Sequence, residues 1–341
     1  MTARACVQCG TPAHTSDRFC ENCGAELAVH QVLVPQLGPV SASCAECGGE
    51  SFDSDDYCVV CGHLRGATDR DERELGPIAL ITDRGLVHPR NEDSGAAGFL
   101  DGDGEGGPPA AIAIVVCDGV STTDNPQAAS GAAARAGVET LLSWLSDGRD
   151  AEEAMVAAIA AAGEAATAVA TPDQEHAPSC TFTAAALATR GGRTDVTVGN
   201  VGDSRVYWLA AEGAAEPSQQ LTVDDSWAQE LITAGVADEK AAMADPRAHM
   251  ITRWLGADAG AEPLPSFAVK SFSTSGPGVV LVCSDGLWNY LPNAADLATI
   301  ATVGDANTAA RTLVEFALAS GGRDNITVAV VPIPPKDTEA A

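Results

Sequence analysis

From Gly76 onward the chain alternates short apolar runs with longer stretches of helical period. The runs 78–82, 111–117, 182–188, 196–201, 206–209, 279–283 and 326–331 are rich in Val and Ile. They end at Gly, Asp or Asn, as buried strands do. Helical periodicity predicts two long, Ala-rich, consecutive helices over 126–146 and 151–170, and shorter ones over 226–234, 293–302 and 306–320. Strand and helix do not alternate along the chain. This order predicts an α+β fold of antiparallel sheets with helices packed outside, rather than a doubly wound parallel sheet.

The first 75 residues have a different texture. Eight of the eleven cysteines fall here, as four C-x-x-C pairs: Cys6/Cys9, Cys20/Cys23, Cys44/Cys47 and Cys58/Cys61. A Gly follows each pair, and the second half repeats the first 38 residues on, which marks a tandem duplication. A C-x-x-C turn offers two thiolates, and two turns make a soft tetrahedral set suited to Zn²⁺. Neither half holds enough apolar residues for a core, so metal binding is expected to drive its folding. Redox C-x-x-C motifs sit singly on a βαβ unit, not in tandem. The segment therefore resembles a double zinc ribbon with two structural Zn²⁺ ions: Cys6, Cys9, Cys20 and Cys23 on the first, Cys44, Cys47, Cys58 and Cys61 on the second. His14, His30 and His63 are expected at the surface, since each site already has four thiolates.

The expected organisation is a first ribbon over 1–28, a second over 29–65, a charged linker over 66–75, the large domain over 76–334 and a disordered tail over 335–341. No apolar run approaches the ~20 residues of a spanning helix, and no signal peptide is visible, so a cytoplasmic location is expected.

With 45% hydrophobic residues in 341, the chain has ample material for a core. Its net charge of −28 disfavours nucleic acid and anionic membranes as partners. The ribbons follow suit, with Arg4, Arg18 and Arg65 against eight carboxylates; a protein-docking or regulatory role fits them better than nucleic-acid binding. There is no P-loop, nucleophile elbow or H-E-x-x-H motif.

The informative residues are acidic ones at strand ends. Asp118 and Asp285 each follow an apolar run and precede Gly. Asp203 lies between two strands, Asp324 precedes the last one, and Glu92-Asp93 close the segment 82–93. A single Asp-Gly after a strand is usually a solvated turn. Several carboxylates gathered at one end of a sheet repel each other unless cations lie between them, and oxygen ligands select Mg²⁺ or Mn²⁺.

The ordered set of motifs resembles the metal-dependent Ser/Thr protein phosphatases of the type 2C (PPM) family. It comprises Thr-Asp-Arg-Gly-Leu-Val…Asn-Glu-Asp, Val-Val-Cys-Asp-Gly-Val, Gly-Asn-Val-Gly-Asp-Ser-Arg, Val-Cys-Ser-Asp-Gly-Leu-Trp and Gly-Arg-Asp-Asn-Ile-Thr-Val. The resemblance spans about 78–331. It implies a central β-sandwich flanked by helices on both faces (α-β-β-α) and phosphoprotein substrates of Ser/Thr kinases, attacked by an activated water. It also implies two Mn²⁺ or Mg²⁺ ions, with provision for a third. Asp118 would serve both main ions, with the Gly119 carbonyl on one of them, Asp285 and Asp324 the first, Glu92 and Asp93 the second or its waters, and Asp203 a weaker third beside Asp285. Cys117, Cys180 and Cys283 are expected to be buried thiols.

The sequence departs from the family in three places. His88 stands where the family carries a phosphate-gripping Arg, with Arg90 two residues on as a candidate substitute. Val120-Ser121-Thr122 follows Asp118-Gly119, with no His to act as an acid. Asp224-Asp225-Ser226 replaces Asp-His-Ser. These departures motivate an alternative: a phosphatase-like scaffold with weak catalysis.

Overall fold

The computed structural model describes residues 3–5, 11–14, 19–24, 29–35, 43–44, 46–53, 57–62, 70–102, 108–260 and 262–334. Cys6, Cys9, His63, the start of the expected linker and the expected tail lie outside them.

Two six-stranded antiparallel sheets face each other. The first runs, in spatial order, Val269–Thr274, Arg193–Val201, Phe182–Arg190, Ala111–Cys117, Ser94–Leu100 and Val29–Val34. The second runs Gln219–Gln220, Arg205–Ala210, Gly278–Cys283, Ile326–Ile333, Ile78–Asp83 and Arg70–Leu75. Helices Pro126–Ser146 and Ala151–Ala168 cover the first sheet; Ala294–Ala301 and Ala306–Ala319 cover the second. The α-β-β-α sandwich expected from the sequence is present.

Both faces of the central strands are buried, which explains their unbroken apolar runs. Ile78 and Leu80 join Ile114, Val116, Val280 and Val282 between the sheets, while Ala79 and Ile81 pack under the helices of the second sheet. The Ala-rich helices let backbone approach backbone. Ala129, Ala133, Ala154, Ala158 and Ala162 are fully buried between helix and sheet.

The N-terminal organisation differs from the expected one. Val29–Val34 belongs to the sandwich, pairing with Ser94–Leu100. His30 on this strand stacks on Phe99 and meets Asp101 at 3.0 Å, so it serves the large domain. The expected linker is, over Arg70–Leu75, an edge strand paired with Ile78–Asp83. Its charges are held in place: Arg70 reaches Asp83 at 2.8 Å, Arg73 reaches Asp71 at 2.9 Å, and Arg311 reaches Glu72 at 2.7 Å. Charged residues suit an edge, because they discourage further strand addition. The lack of apolar periodicity made this strand look like a linker.

The second ribbon therefore sits between two edge strands on the same side of the sandwich. The Sγ atoms of Cys44, Cys47, Cys58 and Cys61 all lie within 4.8 Å of one another. At each described knuckle the Gly N–H returns to the first Cys carbonyl: Gly24 to Cys20 at 2.8 Å, Gly48 to Cys44 at 2.9 Å and Gly62 to Cys58 at 2.7 Å. These glycines have φ of 74°, 73° and 77°, a left-handed turn that other residues adopt at a cost. Burial alone would raise the Cys58 thiol, but the N–H groups of Cys61 and Val60 bring it down to about 7. A thiol so poised is ready to bind as thiolate.

Candidate metal centre

Each acidic residue owes its place to the strand beside it. Asp118 follows Ala111–Cys117, and Asp285 opens a short helix, Asp285–Trp288, directly after Gly278–Cys283 and Ser284. Asp93 precedes Ser94–Leu100, Asp203 lies in the turn before Arg205–Ala210, and Asp324 precedes Ile326–Ile333. The sandwich brings all five to one end, where their charges act on one another.

Burial first, and then the neighbouring carboxylates, push Asp93 and Asp285 up to about 7. The same causes drive Asp118 and Asp203 well above the usual range. Two oxygens at this centre are buried without a hydrogen-bond partner: Asp93 Oδ1 and Asp285 Oδ1. Their carboxylate partners are tied down. Asp93 Oδ2 accepts from Ser284 Oγ and Thr327 Oγ1, both at 2.8 Å, and Asp285 Oδ2 accepts from Asn289 at 2.9 Å. Fixed carboxylates with orphaned oxygens and mutual repulsion fit hard divalent cations.

Glu92 is buried nearby but turned elsewhere. Its Oε1 accepts from Arg90 Nε at 2.8 Å and its Oε2 from Ser121 Oγ at 2.5 Å. Gly119 packs on the Glu92 backbone; a Cβ there would lie 2.6 Å from the Glu92 carbonyl oxygen. Ser121 is thus the one residue of the departing Val120-Ser121-Thr122 segment with a direct role here. His88 Nε2 lies 3.3 Å from Asp324 Oδ1.

Several supporting residues escaped the sequence reading. Asn325 clamps the loop before Glu92: its Oδ1 accepts from Glu92 N at 2.7 Å, and its Nδ2 donates to the carbonyls of Arg84 and Arg90 at 2.7 and 3.0 Å. Thr181 fixes Asp118, accepting from its N–H through Oγ1 at 3.0 Å and donating its own N–H to the Asp118 carbonyl at 2.8 Å. Trp288 Nε1 donates to the Asp203 carbonyl at 2.9 Å, and the Arg205 guanidinium lies 3.5 Å over the Trp288 ring. A buried fork from Arg205 to Asp224 completes this brace.

The Asp224-Asp225-Ser226 segment has structural duties. Asp225 accepts from the Gly202 N–H at 3.1 Å, and Ser226 caps the helix Trp227–Thr233. Cys117, Cys180 and Cys283 are buried and free, and burial pushes the Cys117 thiol well up.

Comparison with known proteins agrees with this geometry. Residues 6–62 match the double zinc ribbon family. A serine/threonine phosphatase, stp, of Listeria innocua is 35% identical over 139 residues, 41% of this chain and 52% of the relative. The chain thus spans about half the length of the curated relatives it matches. Among solved structures, the PPM Ser-Thr phosphatase MsPP from Mycobacterium smegmatis, in complex with cacodylate, is 28% identical with a TM-score of 0.54. The match covers 77% of this chain and 100% of that one. The catalytic domain of the phosphatase PstP in complex with two manganese ions is 27% identical with a TM-score of 0.53, covering 77% and 98%. In sequence and fold the chain is similar to the PPM (type 2C) Ser/Thr phosphatases, and its N-terminal segment matches the double zinc ribbon family.

Proposed function

We propose that the chain hydrolyses phosphoserine and phosphothreonine in proteins, using two divalent cations at the carboxylate cluster. The observation that carries this is the convergence of Asp93, Asp118, Asp203, Asp285 and Asp324, with two buried carboxylate oxygens left without partners. Manganese or magnesium bound there would supply Lewis acidity and an activated water for in-line attack on phosphorus.

The chain's own residues do the rest. Asp118, Asp285 and Asp324 would hold one ion, Asp93 the second with Glu92 on its water shell, and Asp203 a weaker third beside Asp285; the Gly119 carbonyl would join Asp118. Ser284 and Thr327 keep the Asp93 carboxylate from turning away, and Thr181 holds the Asp118 main chain in place. Arg90 offers the phosphate contact. Its Nε is committed to Glu92, while Nη1 and Nη2 have no hydrogen-bond partner among the described residues. His88, on Asp324, is a second polar group at the same edge. The ribbons act as a docking or regulatory module, and the setting is the cytoplasm. Among the described residues no helix is long and apolar enough to cross a membrane.

Phosphate release from a phosphothreonine peptide tests the proposal. Release should require Mn²⁺, stop on chelation, and fall by orders of magnitude in Asp118→Asn. A folded, zinc-loaded protein that releases no phosphate above background would overturn it.

A further inference from the structure

The second ribbon lies beside the loop that carries Arg90. Tyr57, the residue before the knuckle cysteine Cys58, places its ring 5.7 Å from the Arg90 guanidinium carbon. Arg90 in turn anchors its Nε on Glu92 beside the carboxylate cluster. Asp53 and Tyr57 are joined by two hydrogen bonds, Asp53 N donating to the Tyr57 carbonyl and Tyr57 N to Asp53 Oδ1, both at 2.8 Å. Tyr57 leads straight into Cys58, a member of the four-thiol set. Between ribbon and large domain lies a cavity of about 540 Å³, lined by Asp53, Tyr57, Arg90, Gln127 and Asp173 among others. The edge strands at both ends of the ribbon tether it in this place.

An exposed guanidinium on a flexible stem samples many directions, and holding it costs rotamer entropy. Here it has two neighbours: the Glu92 carboxylate grips Nε, and the Tyr57 ring lies over the guanidinium carbon at 5.7 Å. Nη1 and Nη2, with no hydrogen-bond partner among the described residues, are left as a fork beside Glu92. Such a fork matches two oxygens of a phosphoryl group. His88, two residues before, is turned to Asp324, and the ribbon stands beside Arg90.

We propose that Tyr57 of the second ribbon is a positioning residue for Arg90, so that phosphate affinity at the catalytic site depends on the ribbon being folded on its zinc. This rests on the phosphatase reading above.

The test uses the full chain, loaded with zinc and Mn²⁺, and two readouts: steady-state kinetics on a phosphothreonine peptide, and calorimetric binding of inorganic phosphate. Tyr57→Leu should raise KM and the phosphate Kd by about two- to fivefold, as expected for a partly exposed cation–π contact, with kcat little changed. Tyr57→Phe keeps the aromatic face and should behave as wild type. On an Arg90→Ala background, Tyr57→Leu should add nothing. Cys58→Ser, which removes a zinc ligand outright, should raise KM alone and likewise add nothing to Arg90→Ala. Wild-type KM and Kd in zinc-loaded Tyr57→Leu would overturn the proposal, as would an undiminished effect of either ribbon variant on the Arg90→Ala background. If wild type releases no phosphate at all, the phosphatase reading fails instead, and phosphate calorimetry still reports on Tyr57 and Arg90.

Discussion

Removing the Arg205 guanidinium should destabilise the fold more than most single changes. Its Nη2 meets Asp224 Oδ2 at 2.7 Å, and its Nε lies 3.1 Å from both Asp224 oxygens. Its Nη1 donates to the Tyr207 hydroxyl at 3.1 Å, and its plane covers Trp288. The two charged side chains are only 11% and 9% exposed, so water cannot replace what is lost. In Arg205→Met, Asp224 would keep a single side-chain donor, Gln220 Nε2 at 3.0 Å. Breaking one side of a buried ion pair costs about 3–5 kcal/mol. For a domain of this size that corresponds to a melting temperature lower by roughly 6–20 °C. Arg205→Met/Asp224→Leu removes both charges and should recover most of the loss, because the cost is mainly the stranded carboxylate. Urea unfolding of wild type, the single variant and the double variant measures this. A single variant within about 1 kcal/mol of wild type would refute the reasoning, as would a double variant no more stable than the single one.

Other consequences can be checked alongside. Gly286→Ala would place a Cβ 1.9 Å from the Asn325 carbonyl oxygen, so the turn bearing Asp285 and Asp324 must shift. We expect a loss of about 1–3 kcal/mol and of Mn²⁺ binding by calorimetry. Asp93 and Asp285 have native pKa values pushed up to about 7 by burial and neighbouring charge. Unfolded, they titrate near 4. In the Mn²⁺-free protein their stability contribution is therefore present below pH ~4 and is lost as pH rises through about 7. Saturating Mn²⁺ binds the ionised carboxylates, so the gain in melting temperature on adding it should be larger at pH 8 than at pH 5; the reverse order would count against this site. Asn325→Ala should release the loop before Glu92 and weaken Mn²⁺ binding about tenfold or more, while the zinc content stays unchanged.

The acidic cluster was legible because each carboxylate abuts a strand that could be recognised by itself. An apolar run such as 111–117, ending in Asp118-Gly119, announces both the strand and the residue that leaves it. The braces were not legible. Ser284 and Thr327 hold Asp93 from 191 and 234 residues away, and nothing local marks a hydroxyl for that duty. Ser94–Leu100 was missed because its Gly and Ala residues carry no period when both faces are buried. Tyr57 gave no signal either, since its role arises from the ribbon's flanks joining the sheets.

That arrangement bears on how the protein can be divided. A fragment cut at residue 76, where the apolar pattern begins, would lack Val29–Val34 and Arg70–Leu75 together. Both sheets would then expose unpaired backbone on the same side, along Ser94–Leu100 and Ile78–Asp83. Bare apolar edges invite intermolecular strand pairing. Such a fragment should self-associate in light scattering where the full chain does not. In covalent terms the ribbon is an insertion into the sandwich rather than a detachable leader.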